Sequence, residues 1–246
     1  MTQPSRLISP EGRALAYHRT AGQGSGIVFL GGYRSDMTGT KALALEQWAR
    51  ARGRAFLRFD YAGHGQSGGD FNDLGIEDWL ADARAALALT MGPQVLVGSS
   101  MGGWIALLLA RAMPERVAGL VGIASAPDFT EDSLLLSLTE AEREAMARLG
   151  RIERPSAYST EPYVFTRKLI EQGRQNLILR QPLALPFPTR FLQGSVDEDV
   201  PQAVALRLFD HARGPDINLT VVKGADHRFS TPACLRLIEA AVADVS

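Results

Sequence analysis

The chain has 246 residues, 46% of them hydrophobic and 22% charged, the proportions of a soluble globular protein long enough to bury a large core. Lys plus Arg number 26 against 27 Asp plus Glu, a formal net charge of -1, which removes any global electrostatic reason to bind nucleic acid or an anionic membrane. One cysteine, Cys234, excludes an intramolecular disulfide and any multi-cysteine metal site, and no apolar run reaches the length of a membrane span. The segment from Met1 to Arg6 lacks the apolar core of a signal peptide, so the expected location is cytoplasmic.

Along the chain, residues 27–30 read as a buried strand that ends at Gly31-Gly32. A helical pattern follows, with Ala42, Leu45, Trp48 and Ala49 on one face. Residues 55–59 make a second strand, running into Asp60 and the loop Gly63-His64-Gly65-Gln66-Ser67-Gly68-Gly69. Residues 76–91 repeat apolar positions at helical spacing, 95–97 form a third strand, 102–113 a helix, and 117–123 a fourth strand. Strands alternating with helices of this length imply parallel pairing through βαβ crossovers, with helices on both faces of the sheet. From about 128 to 187 the alternation stops. Only helical patterns are expected there, around 134–138, 140–148 and 163–179, broken by several prolines. Alternation resumes with strand 190–193, helix 202–211, strand 218–222 and helix 232–245. The reading is one α/β domain over 1–246, interrupted by a helical cap at about 128–187.

Two segments fit the pattern Gly-x-Ser-x-Gly. The copy at Gly65-Gln66-Ser67-Gly68-Gly69 does not leave its strand directly and is followed by a polar stretch rather than a helix. At Gly98-Ser99-Ser100-Met101-Gly102 a strand runs straight in and a helix opens straight out. Small residues on either side of so sharp a turn leave the Ser100 hydroxyl projecting above the sheet. A serine needs a base to become a nucleophile. Of the four histidines, His18 falls on an early strand, His64 in the glycine loop and His211 at a helix end, whereas His227 follows a strand at its carboxyl edge. Open parallel sheets build their sites at that edge. The base in turn needs an acid to fix its tautomer. Asp197, the first carboxylate after the turn that ends strand 190–193, is the candidate, with Asp199 as fallback and Asp128 third. Oxyanion donors are expected from the N–H of Met101 and, beyond Gly31-Gly32, of Tyr33. Residues 63–68 also match a dinucleotide fingerprint, but the segment starts beyond its strand and opens no helix; neither a cofactor nor a metal site is expected.

Together, the elbow at 98–103, the loop Asp60-Tyr61-Ala62-Gly63-His64-Gly65-Gln66-Ser67, Gly194-Ser195-Val196-Asp197 and Asp226-His227 resemble the α/β-hydrolase superfamily from about Ile27 onward. The segments 29–42 and 56–61 resemble one branch, the bacterial relatives of the mitochondrial palmitoyl-protein thioesterase also called mycophenolic acid acyl-glucuronide esterase. The resemblance implies the α/β-hydrolase fold, a small cap, and an esterase or thioesterase acting on small-molecule acyl esters or thioesters. Ser100, Asp197 and His227 fall on the family's triad positions. Two departures stand out: Gly31-Gly32 replaces the His-Gly of many members, and no transit peptide is expected here. Carbon–carbon bond hydrolases and perhydrolases share this constellation, and the fold can also serve as a non-catalytic binder. Leu135, Leu138, Tyr158, Tyr163 and Phe165 are candidates to line the pocket or to pack the cap's own core. Arg34, beside the oxyanion loop, can meet an anionic group or form a salt bridge.

Overall fold

In the computed structural model, which describes residues 3–156 and 160–246, the buried apolar runs are the middle strands of one eight-stranded sheet. In chain order, β1 (Ser5–Ile8), β2 (Ala14–Thr20) and β3 (Gln23–Leu30) precede α1 (Thr40–Ala51) and β4 (Arg54–Phe59). Then come α2 (Ile76–Leu87), β5 (Gln94–Ser99), α3 (Met101–Ala112) and β6 (Val117–Ile123). The sheet closes with β10 (Thr189–Gly194), α6 (Gln202–His211), β12 (Ile217–Val222) and α7 (Pro232–Asp244). The strand order is β1-β2-β4-β3-β5-β6-β10-β12. Only the β1–β2 and β2–β4 pairs are antiparallel, an edge that the helix–strand alternation did not announce.

Period-two patterning explains why the sheet is covered on both sides. Val28, Leu30, Leu57 and Leu96 point into a core shared with Trp79 of α2 and Trp104 of α3. Their neighbours Ile27, Phe29, Phe56, Val95 and Val97 point the other way, into a core with Trp48 of α1 and Ile238 of α7. Helix α3 is buried from Met101 to Ala110, as a helix apolar on every face must be.

Between β6 and β10 the chain builds the cap. It consists of a π-helical turn at Thr130–Leu134, a 3-10 turn at Leu135–Ser137, and α4 (Glu140–Leu149), followed by β7 (Arg151–Arg154), β8 (Tyr163–Thr166) and α5 (Arg167–Gln175). The short β9 (Leu183–Ala184) pairs in parallel with β11 (Ala212–Arg213). The expectation of helices alone is corrected here: β7 and β8 form an antiparallel hairpin. Each strand has four residues and one buried face, Ile152 on one and Val164 on the other, too short to register as alternation. The helix expected from residue 163 starts only at Arg167, where the Thr166 hydroxyl accepts the Leu169 N–H as its cap.

One buried ion pair ties α1 to β4. Arg58 Nε donates to Glu46 Oε2 at 2.8 Å, and Arg58 Nη1 donates to the Met37 carbonyl. Burial opposes ionisation of Glu46, but hydrogen bonds from Arg58 and Thr20 outweigh it and hold the carboxyl below its ordinary range. Its stabilisation is therefore complete above about pH 4.3 and is lost as the pH falls through the lower folded value. Glu46→Gln is expected to destabilise the fold by about 3 kcal/mol at neutral pH, because Arg58 then stays buried without its counter-charge. Urea unfolding at a series of pH values should show the gap to wild type closing under acid.

Candidate active site

The sheet reverses its winding between β3 and β5: after β3 the chain places β4 on one side, then β5 on the other. Such a switch point opens a crevice at the carboxyl ends of the strands. Pair register lines those ends up, with Leu30 opposite Gly98, Ser99 opposite Ile123, Ile123 opposite Leu192, and Gly194 opposite Val222. The loops that follow β3, β5, β10 and β12 therefore converge, although 127 positions separate Ser100 from His227.

Ser100 sits at φ 56° and ψ −118°, a backbone region that non-glycine residues rarely occupy. The turn is held from outside, since Ser100 N–H donates to the Ile123 carbonyl at 2.9 Å and Ala126 N–H donates to the Ser100 carbonyl at 3.1 Å. A side chain at Gly98 would collide with the Gly102 carbonyl, and one at Gly102 with the Leu30 carbonyl. Both positions need glycine for close approach, which is why the elbow is readable from sequence.

The Ser100 hydroxyl lies 3.1 Å from His227 Nε2. On the other side of the ring, Nδ1 lies 2.9 Å from Asp197 Oδ2 and 3.0 Å from Oδ1. A carboxylate accepts only, so Nδ1 carries the proton and the Nε2 lone pair faces the serine. The Asp197 side chain is fully buried. Besides His227, it accepts the N–H groups of Asp199 and Val200 and the Gln193 amide, at 3.0, 2.8 and 3.0 Å. Asp197, Asp199 and His227 cluster closely enough to suggest a metal site. Both Asp197 oxygens are already engaged by these donors, so the group does not suit a cation.

The other acids have different partners. Asp199 offers its backbone N–H to Asp197. Asp128 accepts the N–H groups of Ile178 and Leu179 and pairs with Arg180, anchoring the chain that leaves the cap. His211 reaches the Gln181 carbonyl, and His18 lies on β2, so neither is near Ser100.

The loop after β3, where the second oxyanion donor is expected, comes close to the elbow: a Cβ on Gly32 would stand 3.4 Å from the Ser100 Cβ. The Tyr33 and Met101 N–H groups have no hydrogen-bond partner among the described residues. The Tyr33 side chain was not part of the expectation. Its ring stacks on Phe165 at 5.4 Å and meets Phe71 edge-on at 5.0 Å, and its hydroxyl donates to the Val164 carbonyl of β8. Burial pushes this phenol's pKa well up, so it remains a donor. Lys41 was also missed. Its amine donates to the Arg228 carbonyl at 2.5 Å, bracing the His227 loop, and burial brings it down to about 8, with Arg228 adding to the effect.

Ser100 opens into a cleft of about 750 Å³ between sheet edge and cap. Tyr163 and Phe165 line it, along with Phe129 and Leu134. Leu138 instead packs in the cap's own core with Met146, Ile152 and Ile170, with Leu135 against it. Tyr158 lies outside the described residues. Arg34 faces the cleft, lies over the Phe71 ring at 4.1 Å, and pairs with Glu161 at 3.7 Å. Cys234 is buried in the core between the sheet and α7. A groove of about 970 Å³ beside Gly22, Arg54 and Ser246 opens at the opposite, amino ends of the strands. No helix among the described residues is long and apolar enough to cross a membrane.

Fold and site geometry together are those of an α/β-hydrolase. Residues 27–241 match the model of the Alpha/beta hydrolase family, and the chain belongs to that family. Among curated proteins it is similar to the palmitoyl-protein thioesterase ABHD10, mitochondrial, of Rattus norvegicus, at 37% identity over 99% of this chain and 82% of that protein. Among solved structures it resembles one from Agrobacterium vitis S4, with TM-score 0.95 and 40% identity over 99% of this chain and 98% of that one. Alpha/beta hydrolase domain-containing protein 10 from mouse follows, with TM-score 0.91 and 34% identity over 99% and 98% of the two chains.

Proposed function

We propose that the chain is a serine hydrolase that cleaves small-molecule carboxylic esters or acyl thioesters through an acyl-enzyme on Ser100. One observation carries the reading: the hydroxyl–imidazole–carboxylate line of Ser100, His227 and Asp197 beside two backbone N–H groups, of Tyr33 and Met101, that have no partner among the described residues. The name of the ABHD10 relatives, palmitoyl-protein thioesterase, supports the reaction class. Ser100 Oγ bonds to the acyl carbon as its proton passes to His227 Nε2, and the carbonyl electrons move onto oxygen. The N–H groups of Tyr33 and Met101 take up the charge of that oxygen. When the tetrahedral species collapses, the bond to the leaving oxygen or sulfur breaks and His227 returns the proton to it. Water then enters, loses its proton to His227, and repeats the sequence to release the acid and restore Ser100. Asp197 keeps the imidazole in the required tautomer and steadies its positive form.

In this reading 1–246 is one catalytic domain, and the cap at about 128–187 shapes the substrate pocket. A cytoplasmic location remains part of the proposal. The mammalian relatives are named mitochondrial, and a single buried thiol such as Cys234 suits either reducing compartment.

The test is a series of acyl esters and matched acyl thioesters of increasing chain length, compared by kcat/KM. Tyr33, Phe129 and Phe165 make an apolar wall, so kcat/KM is expected to rise with acyl length until the cleft is filled. Labelling of Ser100 by a fluorophosphonate probe should accompany that activity. An enzyme that neither turns over any member of the series nor takes the label defeats the proposal.

A further inference from the structure

The glycine-rich loop has so far no part in the chemistry. Its amides are turned inward: His64 N–H donates to Tyr61, Ser67 N–H to His64, Gly68 N–H to Ala14, and Gln66 N–H to the Asp60 carboxylate. Its histidine, only 3% exposed, is turned toward the oxyanion loop. His64 Nδ1 lies 3.1 Å from the Ala62 carbonyl, and His64 Nε2 accepts the Arg34 backbone N–H at 3.2 Å. A carbonyl can only accept, so the ring proton sits on Nδ1 and the Nε2 lone pair is left for Arg34. Burial, reinforced by the Arg34 guanidinium, brings His64 down to about 4, so this arrangement persists across the neutral range. Phe71, Trp79 and Tyr61 surround the ring edge-on at 5.0, 5.2 and 5.6 Å, which fixes its plane.

The peptide that His64 grips is a strained one. Ser35 N–H donates to the Gly32 carbonyl at 3.1 Å, closing a turn whose central residues are Tyr33 and Arg34. Arg34 has φ 58°, the left-handed value that a type II turn requires at this position and that glycine adopts without cost. An arginine there needs support from outside the turn, and His64 supplies it one peptide beyond the Tyr33 N–H.

We propose that His64 is a positioning residue for the oxyanion site, holding the Tyr33–Arg34 peptide so that the Tyr33 N–H faces the oxygen of the tetrahedral intermediate. The inference rests on the function proposed above. It predicts that loss of the imidazole acceptor acts on the transition state rather than on substrate binding.

The experiment compares full-length wild type, His64→Phe and His64→Gln. Phe keeps a ring and removes the acceptor, whereas Gln offers an amide oxygen in its place. The measurements are kcat and KM on a short p-nitrophenyl ester, inhibition by a trifluoromethyl ketone, fluorophosphonate labelling, and thermal unfolding. For folded His64→Phe, kcat is expected to fall on the order of 10- to 100-fold, with KM within about twofold. Inhibition by the ketone, whose adduct carries an oxyanion, should weaken by a similar factor. His64→Gln should recover most of the loss. The proposal is overturned if His64→Phe keeps kcat within about twofold, if the loss appears in KM, or if Gln falls as far as Phe at equal thermal stability. Should His64→Phe not fold, Gln against wild type decides: kcat within about threefold supports the role, and a larger loss with labelling intact overturns it. A wild type that neither labels nor turns over ester removes the parent reading and this one together. Full wild-type activity with an indifferent His64→Phe removes only the role of His64.

Discussion

Ser100→Ala is expected to lower kcat/KM for acyl esters by about 10⁴-fold or more and to abolish fluorophosphonate labelling. In the proposed mechanism the hydroxyl is the atom that bonds to the acyl carbon, and no other hydroxyl or thiol is held against His227 Nε2 among the described residues. The only thiol, Cys234, is buried in the core and cannot replace it. A residual rate above that of water is still expected, because the Tyr33 and Met101 N–H groups and the cleft remain to bind and polarise the carbonyl. Alanine fits the elbow without the hydroxyl and keeps the Cβ that already tolerates φ 56°, so the fold should be unaffected. Steady-state assays on a matched ester and thioester, with thermal unfolding as control, measure both statements. Wild-type turnover by the variant would end the acyl-enzyme reading.

Asp197→Asn is expected to lower kcat by about 10⁴-fold while leaving the loop in place. An asparagine oxygen can still accept the Val200 N–H, so the turn survives. Its amide, however, presents N–H groups to His227 Nδ1. The imidazole then favours the tautomer with its proton on Nε2, which cannot take the serine proton, and its charged form loses the carboxylate that steadies it. Asp128→Asn makes the contrast. That carboxyl holds Ile178, Leu179 and Arg180 and makes no hydrogen bond to Ser100, Asp197 or His227, so its loss should appear in thermal stability rather than in kcat. Equal loss of kcat in both variants would show that the assay reads the integrity of the loops and not the tautomer.

How much of this was legible beforehand follows from the range of the interactions involved. The elbow at Ser100 could be found because its constraints are local: a strand, two glycines with no room for a side chain, and a helix, all between Gln94 and Ala112. Asp197 and His227 were reachable because each follows a strand whose parallel register brings it to the same edge. The β7–β8 hairpin was not, since four residues with one buried face carry too little periodicity. Nor could spacing separate Leu138, which packs inside the cap, from Phe165, which lines the cleft, because both are apolar positions covered by other elements. The partners of His64 and Tyr33 lie 30 and 131 positions away, and no local pattern records such contacts.

The placement of β10 has a consequence for biosynthesis. Strand β6 is paired on one side by β5 and on the other only by β10, which begins at Thr189 after the whole cap has been made. A nascent chain that has emerged only as far as the cap therefore displays β6 as an open edge of apolar residues, the kind of surface that templates aggregation. The same delay means that no amino-terminal folding unit carries Asp197 or His227. On the proposed mechanism, hydrolytic competence thus appears only as roughly the final quarter of the polypeptide, from Thr189 onward, docks, which makes turnover a direct gauge of completed folding.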